Sequence, residues 1–327
     1  MNLKQLTYFL KIVESRSMSQ AANVLHIAQP ALSQQVAQLE AELGTCLLAR
    51  SVHGVTATEA GMLLYRHAKG IMRQVEVTET VLRQSASNPT GKVALALPSS
   101  TARLVAIPLL RESRARYPGI SLELIESPTA DLATLVLQGR VDLAIIIGHE
   151  RKGLVASPIL LEELYVITDP AASFPEEVMS VDELRGLKFV LPGAPNTIRS
   201  TIERVFAESD TPLDIIAELS ATSLLVGATV NGLGATVLPW SAVHHEAARL
   251  EVRLSRLKAP ALNRLLSICH AEFLPLSHAC ELIGSLIIEQ MHELVLTGKW
   301  RGAQWAGGAK NGLSQLSDQP DGVESED

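Results

Sequence analysis

Residues 17–44, reading SMSQAANVLHIAQPALSQQVAQLEAELG, constrain the fold more than any other stretch of this chain. Ser17 or Ser19 can cap a short helix running to about Leu25, and Ala21-Ala22 lets another helix pack closely against it. After a polar step, Pro30 sits in the first turn of a second helix, where its missing amide costs nothing. Gly44 follows the last periodic residue, as a helix-ending glycine does. Leu32, Val36, Leu39 and Leu43 fall on one stripe of this second helix, and Ser33, Gln34 and Gln38 fall elsewhere. Such a helix rests one face on a small core and offers the other to polar partners. Two short helices of this kind are how a protein presents side chains to base edges in a DNA groove.

The flanking sequence completes a small head. Leu3, Leu6, Phe9, Leu10 and Val13 recur at helical spacing, which predicts a first helix over 2–15. Over 47–56, short apolar runs flank His53-Gly54 and predict a β-hairpin, or wing. Thr58 can cap a long helix over 59–85. Within it Leu64, Ala68, Ile71, Val75, Thr78 and Leu82 step alternately by four and three residues, a heptad seam. A three-helix head is too small to cover so long a helix. The seam therefore predicts self-association, with an ordinary amphipathic helix packed on its own domain as the alternative. Asn88-Pro-Thr-Gly91 then breaks the helix.

From Lys92 strands alternate with helices. Strands are expected at 93–97, 121–126, 143–147, 189–191, 215–217, 235–238 and 265–269. Helices are expected at 104–117, 130–138, 197–209, 223–230 and 276–296, with a strand-rich crossing at 159–168. This alternation predicts parallel sheet covered on both faces. The expected organisation is a winged helix-turn-helix domain (1–58), a linker or dimerisation helix (59–88) and a two-lobed α/β body (92–297). The first lobe takes 92–162 and 268–297, the second 163–267, with a cleft between them. The fold class is multidomain α+β. Residues 298–327 are rich in Gly, Ser, Gln and Asp and are expected to be a disordered tail. Trp300 and Trp305 read there as incidental aromatics, with a docking motif as the alternative.

The net charge of −7 is unevenly placed. Residues 1–91 carry 8 Lys and Arg against 6 Asp and Glu, and residues 92–327 carry 20 against 29. A slightly basic head on an acidic body fits local DNA contact and excludes an indiscriminate nucleic-acid coat. The cysteines, Cys46, Cys269 and Cys280, are odd in number and form no CxxC. They read as small buried apolar residues, not as a disulfide framework or zinc site. The amino terminus shows no apolar signal region, and no long uninterrupted apolar run exists, so a cytoplasmic protein with no membrane partner is expected. No cofactor or metal is expected, and nothing supports catalysis. Ser99 lies in no G-x-S-x-G, the histidines form no HExxH, and Gly232-x-Gly234 precedes a strand where a nucleotide loop would follow one. The His244-His245 pair reads as a solvated loop.

Gln29, Ser33 and Gln34 are the first candidates for contact with base edges or nearby phosphate, since glutamine can bond adenine N6 and N7 together. Pro30 can touch a thymine methyl, and Gln38 lies farther along. Ser19 or Gln20 can meet phosphate at the free amides of a helix start. Arg50 pairs with phosphate or anchors the wing against Glu40 or Glu42. His53 enters the minor groove or is a plain loop residue. In the body, Ser99, Ser100 and Thr101 lie between the first strand and its helix, and Thr129 is placed equivalently after the second strand. With Asn196, Thr197 and Thr222 they can line a cleft for a small anionic effector, or serve as helix caps.

These residues carry a resemblance over 1–297 to the LysR-type transcriptional regulators. In the head it rests on Leu6-x-x-Phe9, Ser19-Gln-Ala-Ala22, Gln29-Pro-Ala-Leu-Ser33, Leu39-Glu40, Leu43-Gly44, Arg50 and Gly54-Val-x-x-Thr58-x-Ala-Gly61. In the body it rests on Tyr117-Pro118, Gly139-x-Val-Asp-Leu-Ala144 and Gly232-x-Gly-Ala-x-x-Leu-Pro239. Residues 24–37 are especially similar to the nitrogen assimilation control branch, where Gln34 replaces the arginine found in many members. The resemblance implies a DNA-binding regulator of transcription acting at bacterial promoters on imperfect inverted repeats. It also implies a dimer or tetramer, a cleft effector held by Ser99, Ser100, Thr101 and Thr129, and RNA polymerase as a partner. The two rival classes are a two-lobed solute-binding protein, opposed by the first ninety residues, and an enzyme on a doubly wound sheet.

Overall fold

The computed structural model describes residues 1–51, 54–83, 89–148, 151–171, 178–258 and 262–306; for 50, 73, 76–77, 79–83 and 129–130 it describes the backbone alone. The head begins with α1 (Leu3–Ser15). Asn2 and Gln5 close a reciprocal box, each side-chain oxygen accepting from the other's backbone amide at 2.9 Å. Next is α2 (Met18–Val24), capped by Ser17, whose hydroxyl accepts from the Gln20 amide at 3.3 Å. The turn after it places His26 at φ 54°, in the left-handed region that glycine usually fills. It leads into α3 (Gln29–Leu43), with Pro30 in the first turn and Gly44 ending the helix at φ 65°.

Phe9 and Ile12 of α1, Ala21 of α2 and Leu32 and Leu39 of α3 are fully buried together. Leu43 is 41% exposed, so the apolar stripe of α3 ends at Leu39. The wing is β1 (Leu48–Ser51) paired antiparallel with β2 (Gly54–Ala57). One oxygen of Glu40 on α3 accepts from the amides of Leu47 and Leu48 at 2.7 and 3.1 Å. The wing is thereby fixed to the second helix of the pair.

Helix α4 (Glu59–Arg83) follows the wing. Thr58 caps it, accepting from the Gly61 amide at 3.0 Å. Gly61 lies so close to the Leu47 carbonyl that no Cβ fits. The expected seam divides along this helix. Ala68 is fully buried in the head core and Leu64 packs on that core. Ile71 is 37% exposed, and Val75 is half-buried. The cause is α1, which packs against α4 and takes Leu64 and Ala68 for the head itself. The side chain of Leu82 lies outside the described residues.

The first lobe holds β3 (Gly91–Pro98), α5 (Ser99–Arg116), β4 (Ile120–Ser127), α6 (Thr129–Leu137) and β5 (Leu143–Ile147). Its parallel core has the order β4-β3-β5. The crossing region is one 15-residue strand, β6 (Leu154–Thr168). The second lobe comprises β7 (Val178–Met179), β8 (Lys188–Leu191), α7 (Thr197–Glu208), β9 (Asp214–Glu218), α8 (Thr222–Val230), β10 (Thr236–Pro239), α9 (Trp240–Ala248) and β11 (Arg253–Leu257). The chain returns through β12 (Asn263–Ala271) and α10 (His278–Leu296) and ends its described part at β13 (Ala303–Trp305).

Four features differ from expectation. The sheet is mixed: β12 runs antiparallel to β5 and β6, because it arrives directly from the second lobe without a crossover helix. Helix α5 starts at Ser99, about a turn and a half before the expected 104, and accommodates Pro108 within it. The segment with His244-His245 is helix α9, not a loop. The expected disordered tail begins too early, for Gly298 and Gly302, at φ 67° and 72°, turn the chain back. Trp300 is then 1% exposed in the first-lobe core and β13 pairs with β6. Residues 307–327 lie outside the described residues.

Among the described residues no helix is long and apolar enough to cross a membrane. The cysteines divide: Cys46 is exposed, contrary to expectation, while Cys269 and Cys280 are buried. Burial pushes the Cys269 thiol up to about 12. Iodoacetamide at pH 8 is therefore expected to label Cys46 alone in the native chain and all three cysteines in denaturant, read by mass spectrometry.

Candidate DNA-reading face and inter-lobe cleft

The apolar spacing of α3 decides what its other side can do. With Leu32, Val36 and Leu39 turned into the core, Gln29, Pro30, Gln34 and Gln38 are left exposed and Ser33 half-buried. Ser19, exposed at the start of α2, donates to the Gln29 side-chain oxygen at 3.2 Å, joining the two helices across the turn. Gln20 is exposed beside it. The head thus brings Ser19, Gln20, Gln29, Pro30 and Gln34 to the starts of two adjacent helices, where first-turn amides have no intrahelical acceptor. Arg50 stands on β1 opposite Val55, and its side chain, like His53, lies outside the described residues. Glu40, one of the two anchors considered for Arg50, is engaged with wing amides. Glu42, the other, pairs with the amino terminus, whose hydrogen bond, helped by its charge, holds the carboxyl below the usual range.

Between the lobes lies a cleft bounded by Ser99, Ser100, Ser127, Asn196, Ser220, Thr222 and Arg264, and walled by Pro98, Pro128, Pro192 and Pro239. Four helices start around it, α5, α6, α8 and α9, and none has a side-chain cap at its amino end. Their free amides and positive dipole ends make the cleft electropositive. Asn196 by contrast caps α7, accepting from Ile198 at 2.9 Å. Of the expected positions, Ser99, Ser100, Asn196 and Thr222 line the cleft. Thr101 is fully buried behind it and Thr197 is exposed outside it. The Thr129 side chain lies outside the described residues. The void is about 50 Å³, room for a few water molecules.

Arg264 was not among the expected residues, nor was its partner. It is 7% exposed and donates from Nε and Nη2 to one oxygen of fully buried Glu162, at 2.8 and 2.6 Å. Its Nη2 also donates to Ser100 at 2.7 Å. The second Glu162 oxygen accepts from Ser241 at 2.5 Å and from the Trp300 indole at 2.8 Å. One carboxylate therefore gathers donors from α9, β12 and the carboxyl-terminal segment. Nearby, Arg103 of α5 pairs with Glu246 of α9 at 2.6 Å. His244 is held by the Ser241 carbonyl at 3.0 Å, and burial keeps its pKa below the ordinary value. No group of three His, Cys, Asp or Glu side chains among the described residues is placed to hold a metal ion.

The head meets the first lobe along α4. Gly70 approaches the Phe273 carbonyl, Gly139 packs on Lys69 and Leu274, and Lys69 pairs with Glu14 at 2.9 Å.

Comparison with known proteins adds three findings. Residues 3–62 match the bacterial regulatory helix-turn-helix proteins of the lysR family, and residues 86–291 match the LysR substrate binding domain. The nitrogen assimilation regulatory protein nac of Klebsiella aerogenes is 36% identical over 272 residues, covering 82% of this chain and 88% of that protein. Its counterpart from Escherichia coli K12 is 35% identical over 270 residues, with the same shares covered. Among solved structures, full-length OxyR from Pseudomonas aeruginosa matches with a TM-score of 0.73 at 22% identity, covering 88% of this chain and 94% of that one. Full-length CbnR in complex with its target DNA matches at 0.58 and 20% identity, covering 90% and 99%.

Proposed function

The chain belongs to the LysR family of DNA-binding transcriptional regulators, close to the nitrogen assimilation regulatory proteins, and from that premise we propose that it reads promoter DNA as a dimer through α3. The observation that carries this reading is the two-sided α3, with Gln29, Pro30, Gln34 and Gln38 exposed opposite its buried leucines and valine. Gln29, Ser33 and Gln34 meet base edges, Pro30 a thymine methyl, and Ser19 and Gln20 phosphate. Arg50 and His53 extend the contact through the wing, and Gln38 extends it along the helix. The relatives' role supports nitrogen assimilation, or related metabolism, as the regulated pathway, in the bacterial cytoplasm.

One head reads one half-site, so the second comes from a second copy. The open stretch of α4 beyond the head core, at Ile71 and Val75, supplies the seam, and Leu82 continues it. Pairs of dimers form the tetramer and engage RNA polymerase. Ile71→Asp with Val75→Asp is expected to halve the dimer mass in sedimentation while leaving the melting temperature of the head unchanged. An unchanged mass would place the interface elsewhere.

The cleft takes a small anion at the uncapped helix starts, held by Ser99, Ser100, Thr129, Asn196 and Thr222. The cleft is small beside a site for a drug-sized ligand, so a larger effector is accommodated as the lobes part. A ligand acts here only by favouring one lobe spacing over another.

The DNA reading is tested by selecting duplexes from a randomised pool with the full chain. The expected product is an imperfect inverted repeat whose half-sites lie one helical turn, about 10 base pairs, or a multiple of it apart. Binding to it should weaken steeply with salt. A pool that enriches nothing, or a motif without two-fold symmetry, would refute the proposal.

A further inference from the structure

The carboxyl-terminal segment 298–306 has the composition of a tail, yet it is built into the hinge. Trp300 sits in the first-lobe core, and its amide donates to the Leu294 carbonyl of α10 at 3.0 Å. The Trp305 ring meets His292 of the same helix at a tilt of 57°, with ring centroids 4.5 Å apart. β13 lies antiparallel on β6 at Leu160–Glu162, where that strand leaves the first sheet. Beyond it, the Gly302 carbonyl accepts from the Glu163 amide at 2.9 Å, and Arg301 lies 5.9 Å from the ring centroid of Tyr165. Tyr165 belongs to the second-lobe core. The segment is therefore anchored on the first lobe and fastened to the first residues of the second.

We propose that residues 298–306 are a hinge strap that holds the two lobes at their present close spacing. Its working point is the Glu162 oxygen that accepts both the Trp300 indole and the Ser241 hydroxyl of α9. Swinging the second lobe about β6 pulls Ser241 and Trp300 apart at this shared acceptor, so the cleft opens only as the strap yields. Gly302 is required for the fit: its φ is 72°, and a Cβ there would meet the Tyr165 hydroxyl. The strap biases the same equilibrium that an anion in the cleft would bias, and that consequence rests on the cleft reading above.

Hydrogen exchange on the full chain, without DNA or added anion, tests the strap independently of whether the cleft takes a ligand. Trp300→Phe keeps an aromatic ring but removes the donor to Glu162, and Gly302→Val blocks the close approach. Both are expected to speed exchange at 159–165 and 262–266 by roughly 10- to 100-fold, the effect of losing one hydrogen bond to a buried charge. Helices α1 to α3, α7 and α8 should keep wild-type rates, as should every segment in a chain ending at Ala306. Wild-type hinge rates in both variants would overturn the proposal. Equal acceleration throughout the body would also overturn it, by showing general loss of stability, and so would a fast hinge in the chain ending at Ala306.

Discussion

Replacing Glu162 by alanine is expected to destabilise the body by about 3–5 kcal/mol. The side chain is fully buried and neutralises Arg264, itself 7% exposed. Without it the guanidinium stays in the hinge with only the Ser100 hydroxyl as a named acceptor, and Ser241 and Trp300 lose theirs. For a domain of this size each kcal/mol lowers the melting temperature by roughly 2–4 °C, so a fall of about 6–20 °C should be seen by circular dichroism. The pair itself contributes far less than this loss, because burying two charges costs nearly what their attraction returns. The double variant Glu162→Leu with Arg264→Met should therefore melt much closer to the wild type. A double variant as unstable as Glu162→Ala would assign the loss to the orphaned Ser241 and Trp300 donors and not to the unpaired guanidinium.

The second large effect is on DNA. Gln34→Ala should cost about 1–3 kcal/mol in each half-site, the worth of one good bidentate bond to a base. A dimer uses the residue twice, which makes about 2–6 kcal/mol, or roughly 30- to 20,000-fold in affinity for the selected site. The substitution should leave the fold intact, since Gln34 is exposed on α3 and alanine favours helix. Binding to random duplex should hardly change, because phosphate contacts supply it. Anisotropy titrations at fixed salt measure both. Equal weakening on the selected and the random duplex would remove Gln34 from the readout.

Much of this arrangement is legible in the chain because it is local. The stripe at Leu32, Val36 and Leu39, the Thr58 cap and the short apolar strands are patterns that neighbouring residues determine together. Legibility fails where distant residues decide. Arg264 opens β12 between Asn263 and Leu265 and resembles an exposed strand end. Only Glu162, about a hundred positions earlier, makes it a buried one. Trp300 lies in a polar run whose average composition hides nine ordered residues. Leu64 and Ala68 fit a heptad as well as they fit the head core, and only the placement of α1 chooses between them. The start of α5 is hidden because Ser99, Ser100 and Thr101 read as a loop and Pro108 as a barrier to a long helix.

The single strand β6 carries a consequence for how the chain is made. It runs through both lobes within one continuous nine-stranded sheet, and everything from the end of β6 to β11 is inserted between two parts of the first lobe. Synthesis proceeds from the amino terminus, so the strands β3, β4 and β5 emerge early but wait for β12 to complete their sheet. Their core then waits again for Trp300, 138 positions beyond the carboxylate that receives it. The lobe that begins first is finished last, and it is closed by residues near the end of the described chain. A ribosome stalled before residue 300 would display a folded head and a mature second lobe above a half-built first one.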